Sequence, residues 1–480
     1  MLSFDIFLPR LIDCPGRHIR EYRTGSCQGR EFTCHNLTGG EMAQRLEREF
    51  TDQKVRGSNP TSVSRLPLSR LGQPGSIPAL VLPAGGMADF VFLGTASGYP
   101  SPDRGASGLV LRNLQNGDHW LFDCGEGTQI QAQRSSNVRL GRISNIFISH
   151  LHGDHMYGLP GLLCTIDQKG TAGDIALPSS SGSPSEVVVN IYGPQGLRRY
   201  LRLALALSRS HMNYTYAVHE LILRDEHRPA GWEDWCSLEA DPVRDPPLHC
   251  ERPGRDIHAD SDGFWYNINR PDDMGISVHS MALSHTIPSL GWLIVHPPKP
   301  PALCVETARM LGGEPVVVNG QTVYPDQVLK TAVRGHRIAI MGDSYDSSEL
   351  ERLLLRLADK RKISQATLDV LVHEATLQDS MREEARTKGH STPTPVVQLA
   401  AQLKARLLIL THFSHRYTPI GRPDTMQGNG TAKSNEKGKP SLQILLEDAK
   451  SVPFDGDVIL ADDLALLPIP AVSMSEVISA

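Results

Sequence analysis

Nowhere in its 480 residues does the chain approach the ~20 consecutive apolar residues that a membrane-spanning helix requires. The longest apolar candidates, such as Leu201–Leu207, are far too short, and an integral membrane role is excluded. Excess charge of one sign is missing too: 48 Lys and Arg stand against 53 Asp and Glu, a net charge of -5. That balance excludes a wholly basic nucleic-acid binder, which works through a broad positive field. A nuclease is not excluded, because a local basic groove or bound metal ions can neutralise phosphate. Cys-x-x-Cys pairs are absent. The eight cysteines, at 14, 27, 34, 124, 164, 236, 250 and 304, are too scattered for a disulfide framework and read as reduced thiols of an intracellular protein. No repeat of 20–50 residues is present.

Hydrophobic residues make up 40% of the chain, enough for a sizeable core. They are unevenly placed. Residues 1–87 hold many Arg, Ser, Gly and Pro and little apolar periodicity. Arg10, Arg17, Arg20 and Arg23 suit a targeting segment, but Asp5, Asp13, Glu21 and Glu31 depart from the acid-poor composition of transit peptides. We expect a disordered or targeting extension, with cytoplasm or nucleus as the first expectation for location and an organelle as the second. At Asp89 the character changes: Asp89-Phe-Val-Phe-Leu-Gly-Thr95 reads as a buried strand closed by Gly94. One folded domain is expected over 88–470. Irregular insertions are expected at 224–271 and 418–440, and the Ser-rich segment 179–185 reads as a loop.

The chemistry starts at His150. Ile146–Ile148 is a short apolar strand, and Ser149-His-Leu-His-Gly-Asp-His155 follows at once. His150 and His152, two apart in an extended segment, point the same way and can grip one ion. Asp154 and His155 lie one turn later and can face a second, with Gly153 allowing a tight turn between the pairs. Nitrogen-rich ligation with one carboxylate suits zinc or a similar divalent ion. A lone histidine is more often a core or surface residue than a ligand. Three with an aspartate in six residues at a strand end are a ligand cluster.

On this His-x-His-x-Asp-His loop the sequence resembles the metallo-β-lactamase superfamily, which implies an α/β fold, a four-layer αβ/βα sandwich with ligands at one sheet edge. The resemblance supplies matching positions for the remaining superfamily residues: Asp123 after the strand Trp120–Phe122, His285 as the third histidine, Asp343 as the bridging carboxylate and His412 as the last ligand. Within the superfamily the likeness narrows to tRNase Z, short form. It is carried by Phe92-Leu-Gly-Thr95, Phe122-Asp-Cys-Gly-Glu-Gly-Thr-Gln129, the metal loop, Val372-His-Glu-Ala-Thr376, Gly389-His-Ser-Thr392 and Thr411-His-Phe-Ser-His-Arg-Tyr417. Two departures stand out. Of the family's Lys and Arg-Asn run after Pro100 only Arg104 remains, and the tRNA-clamping arm, at about 296–325, reads as shortened.

The resemblance implies two zinc ions per chain. His150, His152 and His285 would hold one, Asp154, His155 and His412 the other, and Asp343 would bridge them, a two-metal arrangement suited to in-line displacement at phosphate. Asp154 would also hold or deprotonate the attacking water. His390 would protonate the leaving ribose 3′-oxygen, with Glu374 orienting its ring and keeping it charged. His373 reads equally well as a structural hydrogen-bonder, and His415 is given no role. Arg198, Arg202 and Arg209 fall near one face of a helix and read as a solvated surface rather than an RNA contact. Three functions are open: an endoribonuclease trimming the 3′ trailer of precursor tRNA, a phosphodiesterase acting on a small molecule such as a cyclic nucleotide, or an inactive RNA-binding homologue. Intact ligands disfavour the third. The His-Glu-Ala-Thr and Gly-His-Ser-Thr loops favour the first. A homodimer is expected by resemblance alone.

Overall fold

The apolar runs of the sequence become strands buried on both faces in the computed structural model. It describes residues 88–169, 189–232, 237–269, 275–298, 316–318, 321–323, 334–360, 363, 366–420 and 439–469. The extension 1–87, the 179–185 loop, the 421–438 stretch and most of the arm segment lie outside the described residues.

One sheet contains β1 (Ala88–Gly94), β2 (Gly108–Asn113), β3 (His119–Phe122), β4 (Ile143–Phe147), β5 (Val189–Pro194), β6 (Tyr216–Ile222), β7 (Glu251–Arg252) and β8 (Asp256–His258). The second contains β9 (Ser277–Leu283), β10 (Ser289–Val295), β13 (Arg337–Met341), β14 (Val370–Glu374), β15 (Leu407–Thr411) and β16 (Asp457–Leu460). Between β10 and β13, β11 (Val316–Val318) and β12 (Gln321–Val323) pair only with each other among the described residues. The last described strand, β17 (Leu466–Pro468), pairs antiparallel with β1 and so closes the first sheet.

Side-chain alternation explains the layering. Along β15, Leu407 and Ile409 enter a cluster between the sheets with Phe147 and Trp292. Leu408 and Leu410 face the opposite way, into a cluster with Leu350 and Leu354 of α5 (Glu349–Asp359), Val397 of α7 (Pro393–Gln402) and Leu445 of α8 (Gln443–Lys450). The first sheet repeats the pattern. Phe90 and Phe92 point inward, while Val91 and Leu93 meet Ala132 of α1 (Thr128–Arg134), Leu162 and Leu163 of α3 (Leu159–Lys169) and Leu201 of α4 (Leu197–Leu207). Strands covered on both faces have no solvent side to leave polar, hence their near-continuous apolar text. The result is helix, sheet, sheet, helix: the expected αβ/βα sandwich.

Two expectations need correction. Residues 224–271 are not simply an irregular insertion. They supply β7 and β8, and Phe264, Trp265 and Ile268 are buried. Trp265 exchanges two backbone hydrogen bonds with Ser280 of β9. Elements two or three residues long are too short to impose a period on sequence. Nor do the arginines of α4 form a solvated face. Arg198 pairs with Glu220 and Asp256, Arg202 pairs with Glu251, and the helix ends before Arg209. These ion pairs tie α4 to the β6–β8 edge.

At the opposite edge from the site, the fully buried Asp369 accepts two bonds from the Arg334 guanidinium, at 2.7 and 2.9 Å, and a third from the Arg337 amide. Removing one member of a buried pair strands the other charge. Asp369→Ala should therefore cost about 3–5 kcal/mol, read as a lower midpoint in urea denaturation at unchanged slope.

Candidate metal centre and active site

Strand ends place the site. Among parallel neighbours β3–β4 and β13–β14–β15, the carboxyl ends lie side by side, so Asp123, His150, Asp343, Glu374 and His412 emerge along one edge. This is where α/β sheets present ligands. His285 joins from the turn between β9 and β10. Asp154 and His155 lie on the short α2 (Gly153–Met156), and His390 follows α6 (Arg382–Thr387). Gly153 has no positive φ, and a side chain there would meet the exposed Tyr157 ring, which would have to shift.

All seven residues expected as ligands converge, with His390 beside them. His152 Nδ1 lies 3.1 Å from His150 Nε2 and 3.2 Å from His285 Nε2. His155 Nε2 and His412 Nε2 are 3.2 Å apart, each within 3.4 Å of Asp154 Oδ2. Asp343 Oδ2 sits between the groups, 3.8 Å from His150, 3.4 Å from His155 and 3.3 Å from His412.

The surrounding hydrogen bonds decide what those nitrogens present. His155 Nδ1–H donates to Asp123 Oδ2 at 2.7 Å, and His285 Nδ1–H donates to the Gly389 carbonyl at 2.8 Å. Ser149 Oγ gives its own proton to Asp123, so it accepts from His150 Nδ1–H. Thr376 Oγ1 likewise donates to Glu374 and accepts from His412 Nδ1–H at 3.0 Å. When neutral, these four rings carry the proton outside and point the Nε2 lone pair inward, whereas His152 turns Nδ1 toward the cluster. Lone pairs facing one another at about 3.2 Å repel unless a cation lies between them, and outer bonds of this kind orient metal-ligating histidines. The donor set, five imidazoles and two carboxylates, suits zinc.

Charge makes the same demand. Burial pushes His150 and His285 below the ordinary imidazole value, and His152 to about 4, with the charge of His155 adding to the effect at His150 and that of His285 at His152. These rings are neutral at pH 7. Around His155 burial is outweighed by Asp343, Asp154 and Asp123, which raise it well above its ordinary value. Asp343 is buried, which opposes ionisation, yet His412 and His155 hold it well below the usual carboxylate range. One half of the cluster thus offers neutral donors and the other requires positive charge.

His390 stands at the edge of the cluster, with Nδ1 3.0 Å from Glu374 Oε1 and 3.8 Å from Asp343 Oδ2. Burial alone would lower it. Glu374 and Asp343 outweigh that and raise it to about 9. His373, by contrast, is fully occupied: Nε2 meets Ser347 Oγ and Nδ1 meets the Glu374 carbonyl, both at 2.8 Å. Arg104 is buried, bonding Thr95 and lying over Phe413, and so makes no surface for RNA. Sequence reasoning missed the outer residues Ser149, Thr376, Gly389 and Gly98, whose amide donates to Asp154 Oδ2 at 2.6 Å. Their signal was only their place inside or beside the quoted motifs. Gly389 has φ +79°, and a side chain there would come within 2.6 Å of His285 Nδ1.

A sandwich of this layering, with paired His/Asp groups at the carboxyl edge of its strands, defines a metallo-β-lactamase-fold hydrolase. Residues 88–175 match the family described as Anti-Pycsar protein Apyc1. The chain is 37% identical over 395 residues to zinc phosphodiesterase ELAC protein 1 of Bos taurus, covering 80% of this chain and 98% of that protein. It is 32% identical over 343 residues to ribonuclease Z of Halalkalibacterium halodurans, covering 68% and 89%. A solved structure, human tRNase Z, short form (ELAC1), is similar at 30% identity and TM-score 0.49, covering 80% of this chain and 100% of that one. The chain belongs to the family of zinc phosphodiesterase ELAC protein 1 and ribonuclease Z.

Thr376→Val keeps the shape of the side chain and removes the acceptor for His412 Nδ1–H. Zinc affinity, measured by competition with a chromogenic chelator, should fall about 10–100-fold. Unchanged affinity would mean that Thr376 does not orient His412.

Proposed function

We propose that this protein is a zinc-dependent endoribonuclease that removes the 3′ trailer from precursor tRNA. The observation that carries this reading is the His390 imidazole, held 3.0 Å from Glu374 Oε1 beside two convergent donor groups, in a chain that spans 98% of ELAC protein 1. The first group is His150, His152 and His285, the second Asp154, His155 and His412. We assign one zinc to each, with Asp343 shared. Bound there, the cations would lower the pKa of a water and neutralise charge on the phosphate.

The remaining work falls to side chains. Asp154 is buried, which opposes ionisation, but His155 and His412 hold it well below the usual carboxylate range. It is therefore too weak a base to keep a proton and is better suited to orienting the attacking water through a hydrogen bond. The water gives up one proton to solvent, and as its oxygen bonds to phosphorus the bond from phosphorus to the ribose 3′-oxygen breaks. His390 gives its proton to that oxygen, leaving a 3′-hydroxyl on the tRNA and a 5′-phosphate on the trailer. Glu374 holds the ring in place, itself fixed by the Ser344 amide and the Thr376 hydroxyl.

The direct test incubates the zinc-loaded protein with a 3′-extended precursor tRNA and, separately, with a cyclic nucleotide. Cleavage after the discriminator nucleotide is the expected result. Hydrolysis of the cyclic nucleotide alone would favour the small-molecule reading. Elemental analysis should give two zinc per chain. By resemblance the working unit is a homodimer, which sedimentation velocity can check.

His390→Ala should slow RNA cleavage on the order of 10²–10⁴-fold while retaining both metals. A p-nitrophenyl phosphodiester, whose leaving group is stable as an anion, should be nearly unaffected. Asp343→Ala should abolish both activities and lose at least one zinc. Equal damage to both substrates by His390→Ala would contradict its role as proton donor.

The pH profile separates the partners. The donor must be protonated, so a raised value keeps His390 competent at neutral pH, and RNA cleavage should fall as pH rises through about 9. Glu374→Gln removes the ion pair and should move that alkaline limb down, toward the ordinary imidazole value of ~6.5.

A further inference from the structure

Beside the donor cluster lies an open cleft of about 820 Å³, with His390 and Thr376 in its inner wall. Its outer part is built differently. Tyr99, 62% exposed, stacks on His415 with ring centroids 3.9 Å apart and planes 23° apart, and both rings line the cleft. The pair is tied to the metal cluster from two directions. Gly98, immediately before Tyr99, donates its amide to Asp154, and His415 follows His412 by three residues. Two backbone bonds, Ser97 N to Phe413 O at 3.1 Å and Phe413 N to Thr95 O at 2.8 Å, hold the two loops together.

Cations line the same cleft. Lys388 and Arg416 share Glu384, at 2.7 and 2.5 Å, so one carboxylate serves two positive groups. Lys439 lines it as well, and no ion-pair partner is seen for it among the described residues. A flat aromatic surface among cations is how single-stranded nucleic acid is held without reading its sequence: bases stack, and phosphates find the positive groups. A tyrosine kept only to fill space would be covered. This one is braced from behind by a second ring and left open.

We propose that the Tyr99–His415 stack is a platform for the base of the first trailer nucleotide, the one that keeps the phosphate after cleavage. This rests on the nuclease reading above. The side of the scissile bond follows from the placement of the two walls. His390 faces the leaving 3′-oxygen, and therefore the nucleoside of the tRNA proper. Tyr99 sits instead on the loop that Gly98 ties to Asp154, and we assign its wall to the nucleoside that stays on phosphorus.

The test uses the full zinc-loaded chain and three short-trailer precursor tRNAs: one unmodified, one abasic at the first trailer position, and one abasic at the discriminator. Tyr99 is exposed, so Tyr99→Ala should fold, and circular dichroism checks that it does. Loss of one stacked base is worth about 1–3 kcal/mol, so KM for the unmodified substrate should rise on the order of 5–150-fold, with kcat changing much less. Tyr99→Phe should restore the KM. With the abasic trailer nucleotide, wild type and Tyr99→Ala should be equal, because there is no base to stack.

Equal KM values for wild type and Tyr99→Ala on the unmodified substrate would overturn the proposal. So would a loss that disappears with the abasic discriminator instead, which would place the stacked base in the tRNA. Absence of cleavage by the wild-type chain on any of the three RNAs would overturn the nuclease reading and this inference with it.

Discussion

The Asp123 carboxylate is the point on which the site depends. It accepts from the Ser149 amide, from Ser149 Oγ and from His155 Nδ1, at 2.7, 2.8 and 2.7 Å. Through the last it turns one histidine directly. Through Ser149 it fixes the proton of a second, His150. To reach all three donors Asp123 adopts a left-handed backbone, φ 57°, and His412 does the same at φ 60°. Such conformations cost about 1–3 kcal/mol each and persist only where their surroundings enforce them. Here the enforcement is visible: the Asp123 amide bonds Phe147, and the amide after His412 bonds Thr95. Strain and opposed lone pairs are therefore concentrated at one edge of a sandwich whose two sheets are otherwise packed on both faces.

That concentration gives cation binding a thermodynamic meaning. Inward-facing donors are organised before any ion arrives, so little is lost in arranging them, and what is gained appears as stability of the folded state. The same organisation accounts for the division of labour around Glu374. It anchors Thr376, and through it His412, with one oxygen, and His390 with the other. One carboxylate thereby couples the geometry of a donor to the charge of the group expected to protonate the leaving oxygen.

How much of this could be read from sequence depended on whether the signal was contiguous. His150, His152, Asp154 and His155 lie in six residues and announce themselves. Asp123, His285, Asp343 and His412 are single letters at the ends of apolar runs, legible only because the family resemblance said where to look. The sandwich was legible for a physical reason: strands buried on both faces leave uninterrupted apolar text. The short strands β7 and β8 leave none, and Trp265 gave no hint that it packs against β9. Hydrogen-bond relays left no trace either. Nothing in the letters says that Ser149 points at Asp123 and not at solvent, or that Arg198 and Arg202 turn toward acids on the sheet edge. The stacked Tyr99 and His415 are 316 positions apart, far beyond any local pattern.

Pairing of β17 with β1 has a consequence for how the molecule is made. Asp463, just before β17, reaches the Thr95 hydroxyl and the Gly105 amide, so the end of the folded region braces its beginning. His155 and His412 face each other across 257 positions. At a ribosome adding ~5–20 residues per second, the second arrives roughly 13–50 s after the first. A nascent chain emerging with its histidine loop already formed has half a site and an unpaired edge strand. Only when translation has passed residue 468 can the sheet close and the second donor group be locked in place. Assembly of both donor groups is thus withheld until β17 has been synthesised, and a prematurely terminated product would carry the first donors without the second.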